Sequence, residues 1–277
     1  MSLVYLGPSG TFTHQAAAVL RPALAGSATP TASAAEALAA VVAGTATHAV
    51  VPIDNSVNGV VVPTLDGLLV RPELTIAESV VLPISFDAFS RDPGVEAHVA
   101  VSHPHALAQC REWIASRGLA TREASSTAAA CRDLGPGEIG IGARICGTLY
   151  DLHTVAEAIE DNAAAYTQFA LVSAGDLPAH GGGGSGDEGL LVSLDPETNV
   201  PGLLRRLLGV LEDRGVNMTN LVTRPVPARP GIFVFLLFLA GSFTPEDFEE
   251  MRAEWAHLGA TARALGRISP LAELAGR

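Results

Sequence analysis

Residues 175–189 read GDLPAHGGGGSGDEG. A run this rich in glycine, with one proline and few apolar groups, can continue neither a strand nor a helix. It divides the chain. The expected layout is a body over residues 1–178, a linker over 179–188 and a second unit over 189–277. At 277 residues and 48% hydrophobic content, the chain has enough apolar material for two ordinary domains, each with its own core.

Before the break, short apolar runs alternate with Ala- and Leu-rich segments. LVYL (3–6) reads as a buried strand, and GPSGTFTHQAAAVL (7–20) as a turn feeding a helix. AAEALAAVVA (34–43) is helical and THAVVPI (47–53) a strand. In TLDGLLV (64–70), Leu65, Leu68 and Leu69 recur at helical spacing. LTIAESVVLPISFDAF (74–89) is strand-rich, and HVAVSHPHALAQCREWIASRG (98–118) gives strand, turn and helix. EIGIGA (138–143) and YTQFALVSA (166–174) are strands, with helices over 126–134 and 143–152. This alternation predicts an α/β layer fold with a mainly parallel sheet. After the break come LLVSLD, VPGLLRRLLGVLEDRG, VNMTNLVTRPV, GIFVFLLFLAG, TPEDFEEMRAEWAHLG and TARALGRI. That order is βαββαβ, a ferredoxin-like unit.

A net charge of −12 with no offsetting basic run disfavours nucleic acid and anionic membranes as partners. GIFVFLLFLAG is too short to span a bilayer. MSLVYLGPSG enters a strand without a basic segment, so no signal peptide is expected and the cytoplasm is the expected location. Cys110, Cys131 and Cys146 are odd in number and scattered, which predicts neither a disulfide framework nor a zinc site.

Polar groups concentrate where strands end. Ser9, Thr11 and Thr13 lie in the first turn, Asp54, Asn55 and Ser56 in VPIDNSVNG, Ser102 and His103 in VSHPHALAQC, and Ser126 and Thr127 in EASSTAAACRDL. Ligands of open α/β folds bind at the carboxyl ends of strands, and free N–H groups at helix starts favour anions. Repeated hydroxyl-bearing turns suit a small anionic ligand with several oxygens. Thr11 fits an ordinary helix N-cap equally well. His103 and His105 lack a third ligand at metal-binding spacing, no serine stands in GxSxG, and the first turn lacks the lysine of a phosphate-binding loop.

These segments together resemble the bacterial prephenate dehydratases with a C-terminal ACT domain. YLGPSGTFTHQAA is similar to the family's GPxGTFTxxAA, and VPIDNSVNGVVVPTLD to VPIENSxxGxVxxTLD. SHPHALAQC resembles SHPQALxQC, SSTAAA resembles STAxAA, and EDNAAAYTQFALV resembles QDxxNNxTRFxxI. VPGLLRRLLGVLEDRGVNMTNLVTRPV resembles the ACT pattern PGALxxxLxxFxxxxINLTxIESRP. Each motif alone is weak, but their shared order over nearly the whole chain is specific.

The resemblance implies a two-lobed, periplasmic-binding-protein-like catalytic body followed by the ACT unit. The implied reaction expels CO2 and water from prephenate to give phenylpyruvate in phenylalanine biosynthesis, with no metal and no organic cofactor. It implies Thr167, Asn55 and Ser56 as catalytic residues. Ser9, Thr11, Phe12, Ser102, Ser126, Thr127, Gln168 and Phe169 are the implied substrate contacts. Gly202, Leu203, Asn217, Thr223 and Arg224 are the implied regulatory residues. The implied partners are prephenate, an amino-acid effector at the ACT unit and further copies of the chain, in a homodimer or homotetramer.

The chain departs from the family at Gln168, which stands for the Arg of TRF, at Ala164 and Ala165, which stand for paired Asn, and at Asp54, which stands for Glu. Losing a guanidinium removes a bidentate carboxylate donor, with Arg144 the candidate replacement, so weaker substrate binding is expected. Val222 and Thr223 replace the Glu and Ser of ESRP, so weak phenylalanine feedback is expected. Three readings stay open: a dehydratase, a relative that decarboxylates prephenate without aromatising it, and a catalytically inactive amino-acid-binding regulator. GIFVFLLFLAG is apolar on both faces, so a partner subunit is expected to cover one of them.

Overall fold

Several helices begin where the sequence offers a capping oxygen. Thr11, Ser33 and Thr244 each accept a backbone N–H of the first turn, and Thr244 completes a capping box with Asp247. The computed structural model describes residues 1–175 and 189–269. The linker expected over 179–188 lies outside the described residues.

The first lobe contains β1 (Leu3–Leu6), α1 (Phe12–Leu20), a 3₁₀ turn (Pro22–Ser27), β2 (Thr29–Thr31), α2 (Ala34–Val42), β3 (His48–Asn55), β4 (Gly59–Val60), α3 (Val62–Leu69) and β5 (Leu74–Pro83). The chain then crosses to a second lobe. That lobe holds β6 (Asp87–Ser90), β7 (Val99–Ser102), α4 (Pro104–Gln109), α5 (Arg111–Ser116), β8 (Ala120–Glu123), α6 (Thr127–Arg132), β9 (Glu138–Gly142), α7 (Ile145–Leu149) and β10 (His153–Ala156). It returns to the first lobe through β11 (Tyr166–Ala174). The C-terminal unit is β12 (Gly189–Pro196), α8 (Leu203–Glu212), β13 (Asn217–Pro225), β14 (Phe233–Ala240), α9 (Pro245–His257) and β15 (Ala260–Ile268).

The expectation of a mainly parallel sheet needs correction. β1 pairs in parallel with β2 and β3, but β11 runs antiparallel between β3 and β5. The second sheet, β10-β6-β9-β7-β8, is likewise mixed. The cause is the double crossing: a strand that returns from another lobe enters the sheet from the opposite end.

The C-terminal unit has the ferredoxin-like strand order β13-β14-β12-β15, and that sheet continues into the first lobe through a parallel contact of β15 with β5. Gly266 makes the join possible. It lies at φ +146°, and a Cβ there would stand 2.3 Å from Ile76 Cβ and 2.4 Å from its carbonyl oxygen. The two units therefore share one core cluster, beside the cluster that the C-terminal unit closes by itself with α8 and α9. Leu236 and Phe238 of β14, with Leu191, Leu265 and Ile268, pack against Leu38, Leu65, Leu68 and Ile76. Leu237 and Leu239 point the other way, onto α8 and α9. Both faces of β14 are thus covered within one chain, and the reason for expecting a partner subunit there is removed.

Candidate active site

Antiparallel pairing brings Thr167 of β11 directly opposite Asn55 at the end of β3. Asn55 Oδ1 accepts from the N–H groups of Val57 and Asn58, both at 2.9 Å. Two donors on that oxygen fix the amide, so Nδ2 is the group that faces Thr167. It donates to Thr167 Oγ1 at 2.7 Å. The threonine oxygen is used as an acceptor, and its own proton is left to point elsewhere. Ser56 locks the same corner: its N–H donates to Tyr166 O at 3.0 Å, and its Oγ accepts from Tyr166 N at 2.9 Å.

The first turn meets the second lobe. Tyr150 Oη donates to Ser9 O at 2.7 Å, and Cys146 Sγ donates to Gly10 O at 3.1 Å. Ser9 Oγ lies 2.8 Å from Tyr5 Oη. Gly10 N donates to His14 Nδ1 at 3.1 Å, and His14 stacks on Tyr5 with centroids 4.7 Å apart. Burial lowers the His14 pKa, which favours the neutral ring that this acceptor role needs. Gly10, at φ +89°, holds a backbone conformation that favours glycine, and a Cβ there would crowd Tyr150 Oη at 3.0 Å and Ala128 Cβ at 3.1 Å. The turn thus sits against the start of α6, beside Ser126 and Thr127.

Phe12 ties these parts into one seam. It packs against the core cluster that contains Tyr5 and Phe169, and against the second-lobe cluster that contains Phe86 and Ala165. Its ring meets Phe86 edge-on at 5.4 Å. The seam therefore gathers Ser9, Thr11, Phe12, Asn55, Ser56, Thr127, Thr167 and Phe169 from distant parts of the chain.

Several predicted contacts are structural. Ser102 is fully buried and donates to Ile141 O at 2.6 Å, so its hydroxyl is not open to a ligand. Thr11 caps α1 through His14 N and donates to Pro8 O at 2.9 Å; its hydroxyl holds the turn. Ser126 caps α6 by accepting from Ala129 N. Phe169 is buried, with 2% exposure, and shapes the seam from beneath. Arg144 is committed to Asp87 at 3.1 Å and Glu157 at 3.0 Å, so it does not supply the missing charge.

Gln168 is placed differently from the expectation. It is fully buried on the strand face opposite Thr167, where its Nε2 donates to Ser269 O at 2.8 Å and Ser79 Oγ at 3.3 Å. Asp54, its cross-strand partner, is buried on the same back face. The departures at 54 and 168 therefore lie behind the seam. Tyr5, His14, Cys146 and Tyr150, which scaffold the first turn, stand outside the residues that the motifs singled out.

The residues expected to be regulatory separate into two places. Gly202 (φ +78°) and Leu203 line a pocket of about 470 Å³ with Thr198, Asn199, Phe233 and Phe235. Thr223 stands exposed opposite Phe235, and Asn217 is exposed at the start of β13. Val222 packs toward the shared core. Arg224 instead forms a bidentate pair with Asp66 of α3, at 2.6 and 2.7 Å.

Two α/β lobes closed on a seam of hydroxyl, amide and aromatic groups, with a ferredoxin-like unit docked on the back, define a small-molecule-handling protein of the two-lobed class. The sequence profile described as prephenate dehydratase matches residues 3–176. A prephenate dehydratase of Mycolicibacterium gilvum is 38% identical over 257 residues, covering 86% of this chain and 81% of that protein. The solved prephenate dehydratase of Arthrobacter aurescens, in complex with L-Phe, is 33% identical with a TM-score of 0.81, over 99% of this chain and 91% of that one. The chain belongs to the prephenate dehydratase family. A solved chain described as a quorum quenching acylase, GqqA, is 25% identical with a TM-score of 0.82, over 99% of this chain and 100% of that one. The fold is thus shared with a protein credited with other chemistry, and the reaction must be argued from the site.

Proposed function

We propose that the protein is a prephenate dehydratase, with residues 1–178 as catalytic body and 189–277 as an ACT regulatory unit. The observation that carries this reading is the Asn55–Thr167 pair. Prephenate loses its ring carboxylate as CO2, the electron pair moves into the ring, and the ring hydroxyl departs at the far carbon. The departing oxygen needs a hydrogen-bond donor. Thr167 supplies one: its oxygen already accepts from Asn55 Nδ2, so its O–H is free to donate and is polarised to do so. Free N–H groups in the first turn of α1, at the seam, suit a substrate carboxylate. Because aromatisation drives the reaction, positioning is the main demand on the protein.

Of the altered residues, those at 54 and 168 lie behind the seam and Ala165 packs at it beside Phe86; the retained Asn55–Thr167 pair favours full dehydration over decarboxylation alone. Incubation with prephenate and analysis of the product tests this. Phenylpyruvate supports the reading, and a non-aromatic decarboxylated acid or unchanged prephenate overturns it.

The pocket at Gly202 and Leu203 is the proposed amino-acid effector site, in line with the L-Phe complex of the Arthrobacter relative. The Gly202 pocket is open as far as Val222 is concerned, since that residue faces the shared core. Phenylalanine is therefore expected to raise the melting temperature by ligand linkage. Among the described residues β13 lies at the end of the strand order and offers an unpaired edge, which supports a homodimer or a dimer of dimers. A monomeric mass by light scattering at micromolar concentration rejects that assembly. A biosynthetic role supports a cytoplasmic location; among the described residues, no helix is long and apolar enough to cross a membrane.

A further inference from the structure

β11 sends alternate side chains to opposite faces. Thr167 and Phe169 face the seam, and Gln168 faces the docked ferredoxin-like unit. Gln168 Nε2 donates to Ser269 O at 2.8 Å, one residue beyond the end of β15, and to Ser79 Oγ of β5 at 3.3 Å. Ser79 Oγ also accepts from Ser269 N at 2.6 Å, and Ser269 Oγ donates to Ser79 O at 2.9 Å. One amide thus joins three strands immediately behind Thr167. The carbonyl of Ser269 can only accept, so it fixes which end of the amide faces it.

Among the described residues the other end is left without a partner: Gln168 Oε1 is buried and unbonded. A buried acceptor without a donor is destabilising, and an apolar side chain of similar shape would avoid that loss. A residue serving only to fill space here would be expected to be apolar. What the amide adds is the N–H bond to the end of β15. Three residues before Ser269, Gly266 presses β15 against Ile76 of β5 with no room for a side chain, so a movement of the ferredoxin-like unit is carried into β5 and β11.

We propose that Gln168 is a positioning residue, whose Nε2 holds the strand end bearing Thr167 against the terminal strand of the ferredoxin-like unit, so that the seating of that unit sets turnover and leaves substrate affinity alone. This rests on the reading of Thr167 as donor to the departing hydroxyl.

The test is steady-state turnover of prephenate by the full chain, with Gln168→Met, Ser79→Ala and Thr167→Val compared. Gln168→Met keeps the length and removes the donor. Its kcat is expected to fall about 10-fold with KM within about twofold of the unsubstituted protein, the signature of a misplaced transition-state group. Ser79→Ala is expected to lower kcat by less, because the bond from Nε2 to Ser269 O remains. Thr167→Val is the control: full kcat there removes the underlying reading and the proposal with it. A slow Thr167→Val beside a Gln168→Met of unchanged kcat, or one changed only in KM, overturns the positioning role and leaves the reading of Thr167 standing. Should Gln168→Met fail to fold, Ser79→Ala decides, and an unchanged kcat there overturns the proposal.

Discussion

Thr167 and Gln168 are neighbours in one strand, yet they belong to different regions of the molecule. The front region, where Thr167 meets Asn55 and Ser56, keeps the residues that the family motifs lead one to expect. The back region, where Gln168 meets Ser79 and Ser269 and stands opposite Asp54, holds the departures at 54 and 168, while Ala165, which stands for one of the paired Asn, packs with Phe86 and Phe12 at the seam. A substitution one position along a strand changes the other face of the sheet. Position 168 therefore bears on how the two units are joined, and Thr167 on the face proposed to meet substrate.

The largest expected effect is on the front. Thr167→Val keeps the shape and removes the donor, and kcat should fall by roughly 10²-fold or more, the range for loss of one transition-state donor. Full activity would end the comparison, since neither face would then carry the chemistry. Asn55→Asp is the sharper test. A carboxylate still accepts from Val57 and Asn58, so the turn survives, but its second oxygen accepts a hydrogen bond from the Thr167 O–H instead of donating one to that oxygen. A fall in kcat of about 10-fold or more is expected, with the circular dichroism unchanged.

On the back, Gln168→Arg is expected to leave KM within about twofold, because the side chain does not reach the seam. A several-fold tighter KM would show that position 168 touches substrate after all. Asp54→Asn should change the pH dependence of stability. Burial raises the Asp54 pKa above its ordinary 3.8. The native chain then holds a proton that the unfolded chain releases, so stability falls as pH rises from 3.8 toward the raised value. The asparagine variant should lack that part of the slope, as read from urea midpoints across acidic to neutral pH. The smallest effect is expected for Arg224→Ala. Its pair with Asp66 joins the units but is partly exposed at both ends, with 26% and 44% of the side chains accessible. A loss of about 0.5–1 kcal/mol is expected, seen as a drop of roughly 1–3 °C in melting temperature.

Much of this was legible in the residues. The apolar runs located β1, β3, β11 and β14, and the Leu spacing located α3. β8 and β10 escaped the pattern because they are four-residue edge strands with mostly exposed side chains and no apolar alternation to mark them. The motifs marked Thr167 and Asn55, but motif letters do not say which way a side chain points. Ser102 looked like a ligand group and is a buried strut; Thr11 is a cap.

By itself the sequence determined the α/β body, the βαββαβ unit that follows it and the family to which both belong, because these rest on local periodicity and on residue types in fixed order. The tertiary structure decided how the two units meet. Each side of the glycine-rich run has a core cluster of its own, as expected, but β14 also buries its second face on α2 and α3, and β15 extends the first sheet through Gly266. It also decided that Gln168 stands behind the seam. The physical reason is the same for both: a strand's pattern shows that it has two apolar faces, but what covers each face depends on contacts between residues far apart in the chain.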